Sequence, residues 1–310
     1  LKRKLINMNN FHFIEAPAKL NLNLYITGIN KKGFHLLKSH VCFLELTDHI
    51  YIKYNFKDEF YQTSKNNLLL VNPKNNLLSK TIDAFRLYTN WTQNFKIILD
   101  KKIPIGAGLG GGSADAAATL ILLSTLYNNN KDIKQKITSI SLNKIAIGLG
   151  SDVPACLKSR DLLLEGYGEK LTMSSISKGY YFLLINPNVN LSTKSVFDQY
   201  KKFIKDKNHN TNLYFESIPI YNSLLSSAIM LEPSISFILS NLKNASNITA
   251  YGMTGSGSTC FGIFKSLDDI IVFKEKFIKI CNHPFFIWYG KKKNYRFNRV
   301  TNSKVLENNF

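Results

Sequence analysis

Between Pro104 and Ala118 the chain reads Pro-Ile-Gly-Ala-Gly-Leu-Gly-Gly-Gly-Ser-Ala-Asp-Ala-Ala-Ala, with five glycines in the seven residues Gly106 to Gly112. Glycine admits positive φ and leaves no side chain between the main chain and a ligand. Ser113 is a suitable N-cap, and Ala114 to Leu123 is rich in helix formers, so the loop ends where a helix starts. Unpaired N–H groups and the positive end of the helix dipole favour an anion there, most commonly a phosphate. A Walker A loop is excluded, because Gly112 is followed by Ser113 with no lysine between them. Gly106, Gly108 and Gly111 satisfy Gly-x-Gly-x-x-Gly formally, but no ribose-binding acid closes a second strand about 20 residues on. A flexible linker, the bland alternative, would not run directly into an apolar helix.

Other residues of chemical interest have plainer readings when taken singly. From Ala18 to Gly28, Leu20, Leu22, Leu24 and Ile26 alternate with Lys19, Asn21, Asn23 and Tyr25, the pattern of a half-buried strand. A lysine on such a polar face ordinarily serves solubility. Gly150-Ser151-Asp152-Val153-Pro154 reads as a helix start, with Ser or Asp capping ahead of a proline. Lys31 to His35 is a turn about Gly33, and a lone histidine there is a weak signal. Phe197 by itself belongs to the core. Met253 to Gly262 forms a second Gly/Ser loop, whose hydroxyl and N–H groups suit phosphate oxygens. A strand-to-strand turn explains two of its glycines but not its hydroxyls.

The elements that must position these residues can be traced along the chain. Strand patterns cover Val41 to Leu46 and Ile50 to Tyr54. Asn75 to Tyr88 is an amphipathic helix with Leu78, Ile82 and Phe85 on one face, and Phe95 to Leu99 is a strand feeding the glycine loop. Leu142 to Ile147 is helical and stops at Gly148. A boundary falls between Glu165 and Ser177, where glycines and serines interrupt the pattern. Tyr180 to Ile185 is a buried strand, and Lys201 to Asn212 a charged, exposed stretch. Ser236 to Leu242 and Ile270 to Ile280 are helices, and Phe285 to Tyr289 is a closing strand.

With 310 residues, 45% of them hydrophobic and only eight prolines, the chain holds one large or two medium globular domains. The apolar run Ala116 to Leu123 is far short of the roughly 18 residues that a membrane span needs. Cys42, Cys156, Cys260 and Cys281 show neither paired nor CxxC spacing, which points to a reduced cytosolic compartment and no metal cluster. The formal charge of +19 suits polyanionic ligands. However, the lysines are scattered, apart from Lys291 to Lys293, among abundant Asn and Ile, so composition accounts for the charge better than a nucleic-acid surface does. Leu1 to Asn10 lacks the apolar stretch of a secretory signal, and Met8 is an alternative first residue.

Together these motifs resemble the GHMP kinases, the superfamily of galactokinase, homoserine kinase and mevalonate kinase. Ala-Pro-Ala-Lys-Leu-Asn-Leu around Lys19 is similar to the first motif, Pro104 to Ala118 to the central phosphate loop, and Met253 to Gly262 to the third. Within the superfamily, Gly33-Phe34-His35 and Gly-Ser-Asp-Val-Pro resemble the branch that phosphorylates a cytidine-diphosphate-linked methylerythritol. The resemblance implies an α+β, two-domain fold with the site in the cleft between domains. Residues 1–170 would form the ATP-binding domain and 171–310 the C-terminal domain. It implies ATP-dependent phosphorylation of the 2-hydroxyl of 4-diphosphocytidyl-2-C-methyl-D-erythritol, in the non-mevalonate route to isopentenyl diphosphate.

By the same resemblance Asp152 is the catalytic base, and Lys19 orients it and stabilises charge. Pro104, Ile105, Gly106, Ala107, Gly108, Leu109, Gly110, Gly111, Gly112, Ser113 and Ala114 bind ATP. Asn21, Phe34, His35, Thr193 and Phe197 bind the substrate. His35 hydrogen-bonds cytosine, Phe34 and Phe197 form the walls of its sandwich, and Thr193 lies by the diphosphate. Phe34 stands in place of a tyrosine, which keeps the ring face and loses the hydroxyl. Ala114 stands where close relatives often carry a second serine. Because the loop has no lysine, Mg²⁺ is expected with the nucleotide. Its ligands are unassigned, with Ser113 a candidate. The expected partner is a small molecule, not nucleic acid or membrane, and the chain is expected to be a cytoplasmic monomer or homodimer. The alternatives are another GHMP small-molecule kinase and a basic RNA-binding protein with a non-catalytic phosphate loop.

Overall fold

The computed structural model describes residues 10–31, 33, 35–64, 67–70, 76–202, 211–295 and 301–302. Its first half contains β1 (His12–Asn21), β2 (Tyr25–Ile29), β3 (His35–Tyr54), β4 (Glu59–Ser64), β5 (Asn67–Leu70), α1 (Leu77–Thr89), β6 (Phe95–Asp100), α2 (Gly111–Asn129), α3 (Ser139–Leu149), α4 (Val153–Lys158), β7 (Leu162–Gly166) and β8 (Lys170–Met173). Then follow β9 (Tyr181–Asn186), α5 (Thr193–Lys202), β10 (Tyr214–Phe215), β11 (Ile218–Pro219), α6 (Leu225–Leu231), α7 (Ser234–Lys243), β12 (Ile248–Met253), β13 (Cys260–Phe264), α8 (Leu267–Ile280), β14 (Phe286–Lys291) and β15 (Thr301–Asn302).

Two sheets carry the architecture. Among the described residues the larger has nine strands along the path β15-β1-β3-β6-β4-β5, with β2, β7 and β8 attached through β3 and β7. The smaller runs β12-β13-β9-β14. β8 joins the larger sheet by pairing with β7.

Side chains alternate faces along a strand, and here both faces are covered. Ile14, Ala16, Val41 and Phe43 pack with α1 to α4, whereas Ala18, Leu20, Cys42 and Leu44 turn to the other sheet. There they meet Phe182, Leu184, Phe261 and Ile263, while Leu183 and Ile185 of β9 face α6, α7 and α8. The order is therefore helices, sheet, sheet, helices, which is why β9 reads Tyr-Phe-Leu-Leu-Ile without polar breaks.

Four expectations need correction. The strand expected over Ala18 to Gly28 begins at His12 and ends at Asn21; a gap and an isolated bridge at Leu24 precede β2. Its polar side is not solvated, since Lys19, Asn21 and Asn23 are all buried under the rest of the fold. The two short strands after His35 are one 20-residue strand, because β3 is the spine against which β1, β2, β6 and β7 all pair. Ser113 does not cap α2: the helix starts three residues earlier than that cap would put it, after Gly110 in the left-handed conformation with φ +64°.

Candidate active site

The register between β1 and β3 shifts between Pro17 and Lys19. Proline cannot donate to a ladder, and a bulge re-aims the side chain that follows it. Lys19 thereby reaches a cavity of about 1080 Å³ whose wall includes Asn21, the glycine loop, Asp152, Thr193 and Phe197. Its ammonium lies 3.0 Å from Asp152 Oδ2 and donates to Asn21 Oδ1 at 2.9 Å. Lys19 is only 4% exposed and the Asp152 side chain 38%, so the pair has one buried and one open member. Asp152 holds the N-cap position of α4 with Pro154 behind it, yet makes no capping hydrogen bond. The capping reading of Ser151-Asp152 thus gives way to the ion pair.

In the loop between β6 and α2, small side chains anchor and glycines face the cleft. Ala107 and Leu109 are buried among the residues between the sheets. Every carbonyl from Gly106 to Gly110 accepts a bond from the protein: from Leu191 N, Thr259 N, Thr254 Oγ1, Lys19 N and Ala114 N in turn. Among the described residues, no acceptor takes the N–H groups of Gly108 to Ser113. A peptide whose oxygens are all fixed inward presents its donors outward, which is an anion cradle. A Cβ on Gly108 (φ +74°) would lie 2.4 Å from Thr254 O, so the second Gly/Ser loop sits directly against the first. Pro104 to Ser113 line the cavity, while Ala114 is turned into the core.

The second loop contributes less to the cavity than its hydroxyls suggest. Gly255 and Ser256 reach it, with Ser256 Oγ 3.0 Å from Thr193 Oγ1. Thr254 Oγ1 instead accepts from Asn21 N, and Ser258 and Thr259 hold Asn186. At the far end His35 stacks on Phe197, with ring centroids 4.8 Å apart and planes 29° from parallel. Both imidazole nitrogens are buried with no hydrogen-bond partner among the described residues. Burial, and then the Lys201 charge, lower the His35 pKa, which keeps the ring neutral. Phe34 lies outside the described residues.

Two family models match the chain: GHMP kinases N terminal domain over residues 76–160, and GHMP kinases C terminal over residues 215–283. The 4-diphosphocytidyl-2-C-methyl-D-erythritol kinase of Anaplasma marginale (strain Florida) is 34% identical over 265 residues, covering 81% of this chain and 87% of its own length. The chain belongs to this kinase family, within the GHMP kinases. The kinase of the same name from Vesicomyosocius okutanii subsp. Calyptogena okutanii (strain HA) is 31% identical across 90% of this chain and 98% of its own. A crystal structure of 4-(cytidine 5'-diphospho)-2C-methyl-D-erythritol kinase shares the fold at TM-score 0.71 and 25% identity, covering 90% and 98%. A mevalonate kinase structure at 16% identity and TM-score 0.64 shares the fold alone. The α+β GHMP kinase fold expected from the sequence is the fold observed.

In this kinase one polar network of the cavity wall escaped the sequence reading. Lys101 Nζ lies 2.5 Å from Asp48 Oδ2 and 2.7 Å from Asp115 Oδ2, beneath the glycine loop. Asp48 Oδ1 also accepts from Lys102 N and Ile103 N, at 2.6 and 2.8 Å. One carboxylate on β3 therefore ties down the chain entering the loop, and one ammonium ties that entry to Asp115 in the second turn of α2. Burial opposes the Lys101 charge, but Asp115 and Asp48 outweigh it and hold its pKa up. Burial likewise pushes the Asp115 carboxyl well up despite Lys101, with the neighbouring Asp48 acting in the same direction. No spacing rule connects residues 48, 101 and 115; only β3, β6 and α2 meeting in space does.

Proposed function

We propose that this kinase transfers the γ-phosphoryl group of ATP to the 2-hydroxyl of 4-diphosphocytidyl-2-C-methyl-D-erythritol. The observation that carries the reading is the Lys19–Asp152 pair, 3.0 Å across, in the same cavity as the glycine cradle. Outward N–H groups from Gly108 to Ser113 hold the phosphates, and Asp152 takes the hydroxyl proton as oxygen attacks phosphorus. Lys19 has three donors and spends two on Asp152 and Asn21. The third can meet charge on the moving phosphoryl group, where preorganised donors contribute most. Bound ATP supplies the phosphoryl group; the Ser113 hydroxyl at the loop's end is the candidate to hold Mg²⁺ arriving with it, which would screen phosphate charge.

His35, Phe197, Thr193 and Asn21 lie on the same cavity wall as this pair, which supports placing the cytidine diphosphate moiety along them. The reading treats 1–170 as the nucleotide-binding part and 171–310 as its partner. It also takes the chain as a cytoplasmic monomer or homodimer without nucleic-acid ligands. Among the described residues no helix is long and apolar enough to cross a membrane. The test is coupled ADP release with the cytidine substrate, and separately with mevalonate or homoserine. Turnover is expected with the cytidine compound. Turnover that ignores it and follows another alcohol overturns the proposal.

A further inference from the structure

Lys19 is held by Asn21, but only if the Asn21 amide points its oxygen, not its nitrogen, at the ammonium. An ammonium has three donors and no acceptor, so a flipped amide would set N–H against N–H. Something must choose the orientation. Ser39 of β3, 2% exposed, sits behind Asn21 and does not line the cavity. Its hydroxyl donates to Asn23 O at 2.5 Å and accepts from Asn21 Nδ2 at 2.7 Å. A hydroxyl has a single proton. Because the Asn23 carbonyl can only accept, that proton is committed to it, and Ser39 can offer Asn21 nothing but a lone pair. Nδ2 must therefore face Ser39, and Oδ1 faces Lys19.

We infer that Ser39 is a positioning residue for phosphoryl transfer, fixing the Asn21 amide so that Lys19 is held against Asp152. The chain of bonds runs Asn23 O, Ser39 Oγ, Asn21 Nδ2, Asn21 Oδ1, Lys19 Nζ, Asp152 Oδ2. Neighbouring groups are fixed as well: Asn21 N donates to Thr254 Oγ1 at 2.8 Å, and His40 N donates to the Asn23 side-chain Oδ1 at 2.7 Å. Without the lone pair of Ser39, Asn21 Nδ2 loses its partner and only the Lys19 ammonium still orients the amide, so the ammonium is held less firmly at its distance from Asp152. Ser39 lies off the cavity wall, so its removal takes no contact from the glycine loop and reaches the cavity through Asn21.

The inference rests on the kinase reading above, and its test separates the two. Ser39→Ala and the volume-preserving Ser39→Cys, which offers only a weak sulfur acceptor, are compared with Ser39→Thr in steady-state turnover of the cytidine substrate. Loss of alignment at a reacting centre lowers turnover about 10- to 100-fold. The expected result is that fall in kcat for Ala and Cys, with KM for ATP within about twofold of wild type, and recovery in Thr. The Asn21 side-chain amide protons, slow to exchange in the wild type, should exchange fast in Ala and Cys but not in Thr. Wild-type kcat in both Ala and Cys, a KM for ATP that rises in step with the fall in kcat, or a Thr variant no better than Ala would each overturn the role of Ser39. A wild-type chain inactive on the cytidine compound would instead overturn the function itself.

Discussion

Lys19 and Asp152 are 3.0 Å apart, and one of them is buried. If they work as a unit, removing either should disable the same step. Lys19→Met keeps the apolar stem and discards the charge, while Asp152→Asn keeps the shape and discards the base. Loss of a positioned general base lowers turnover about 10²- to 10⁴-fold, equivalent to about 2.7–5.4 kcal/mol at 1.36 kcal/mol per tenfold. Independent contributions would multiply, so the double variant would fall about 10⁴- to 10⁸-fold. Groups acting as a unit are strongly non-additive, and the double variant should then be no slower than the slower single. The assay is coupled ADP release under saturating substrates, with KM for ATP as a control, since neither substitution touches the loop carbonyls or amides. Melting curves supply the second control. Lys19 is the buried member, so Asp152→Asn leaves an ammonium with weaker compensation and should lose about 1–3 kcal/mol of stability. Multiplicative losses in kcat would refute the paired mechanism, as would a double variant far below both singles.

Three further outcomes follow from the geometry. Gly108→Ala forces a left-handed alanine, at about 1–2 kcal/mol, and drives a methyl to 2.4 Å from Thr254 O. It should lower Tm and raise KM for ATP, and an unchanged KM would show that the two loops need not touch. Asp48→Ala strips the partner from a buried ammonium and two N–H groups and should cost about 3–5 kcal/mol. Asp115→Asn, at a site where burial raises the carboxyl pKa and Asp48 still holds the ammonium, should cost less; chemical denaturation that reverses this order would refute Asp48 as the anchor of the loop entry. Burial is the first cause lowering the pKa values of His35, His40 and His49, with Lys201, Lys38 and Lys102 adding to it in turn. A lowered folded pKa means the unfolded chain binds protons first, so this stability is present above about pH 6.5 and is lost as the pH falls below it. Melting temperature should drop between pH 7.5 and 5.5, less steeply in His35→Asn; a slope identical in that variant would remove His35 from the account.

Local chemistry made much of this protein readable before any coordinates. The glycine run announced an anion loop, because a main chain stripped of Cβ atoms and leading into a helix has few other uses. The helix at Leu77–Thr89 and the strands at Phe95–Asp100 and Tyr181–Asn186 followed from apolar periodicity, and the paired motifs pointed to the kinase family. What sequence spacing cannot encode is which surfaces become covered. Alternation along Lys19, Asn21 and Asn23 looked like a wet face because only packing of the smaller sheet and its loops buries it. The same limit hid Ser39, Asp48 and Lys101, whose neighbours lie on other strands and whose residue types are ordinary on any surface. Tertiary structure decided the direction of each carbonyl in the loop, the contact between the two Gly/Ser segments, and the choice of Asp152 to pair with Lys19 and not to cap its own helix. The physical reason is that burial removes water as a partner, so each polar group must find another group in space, however far away it lies along the chain.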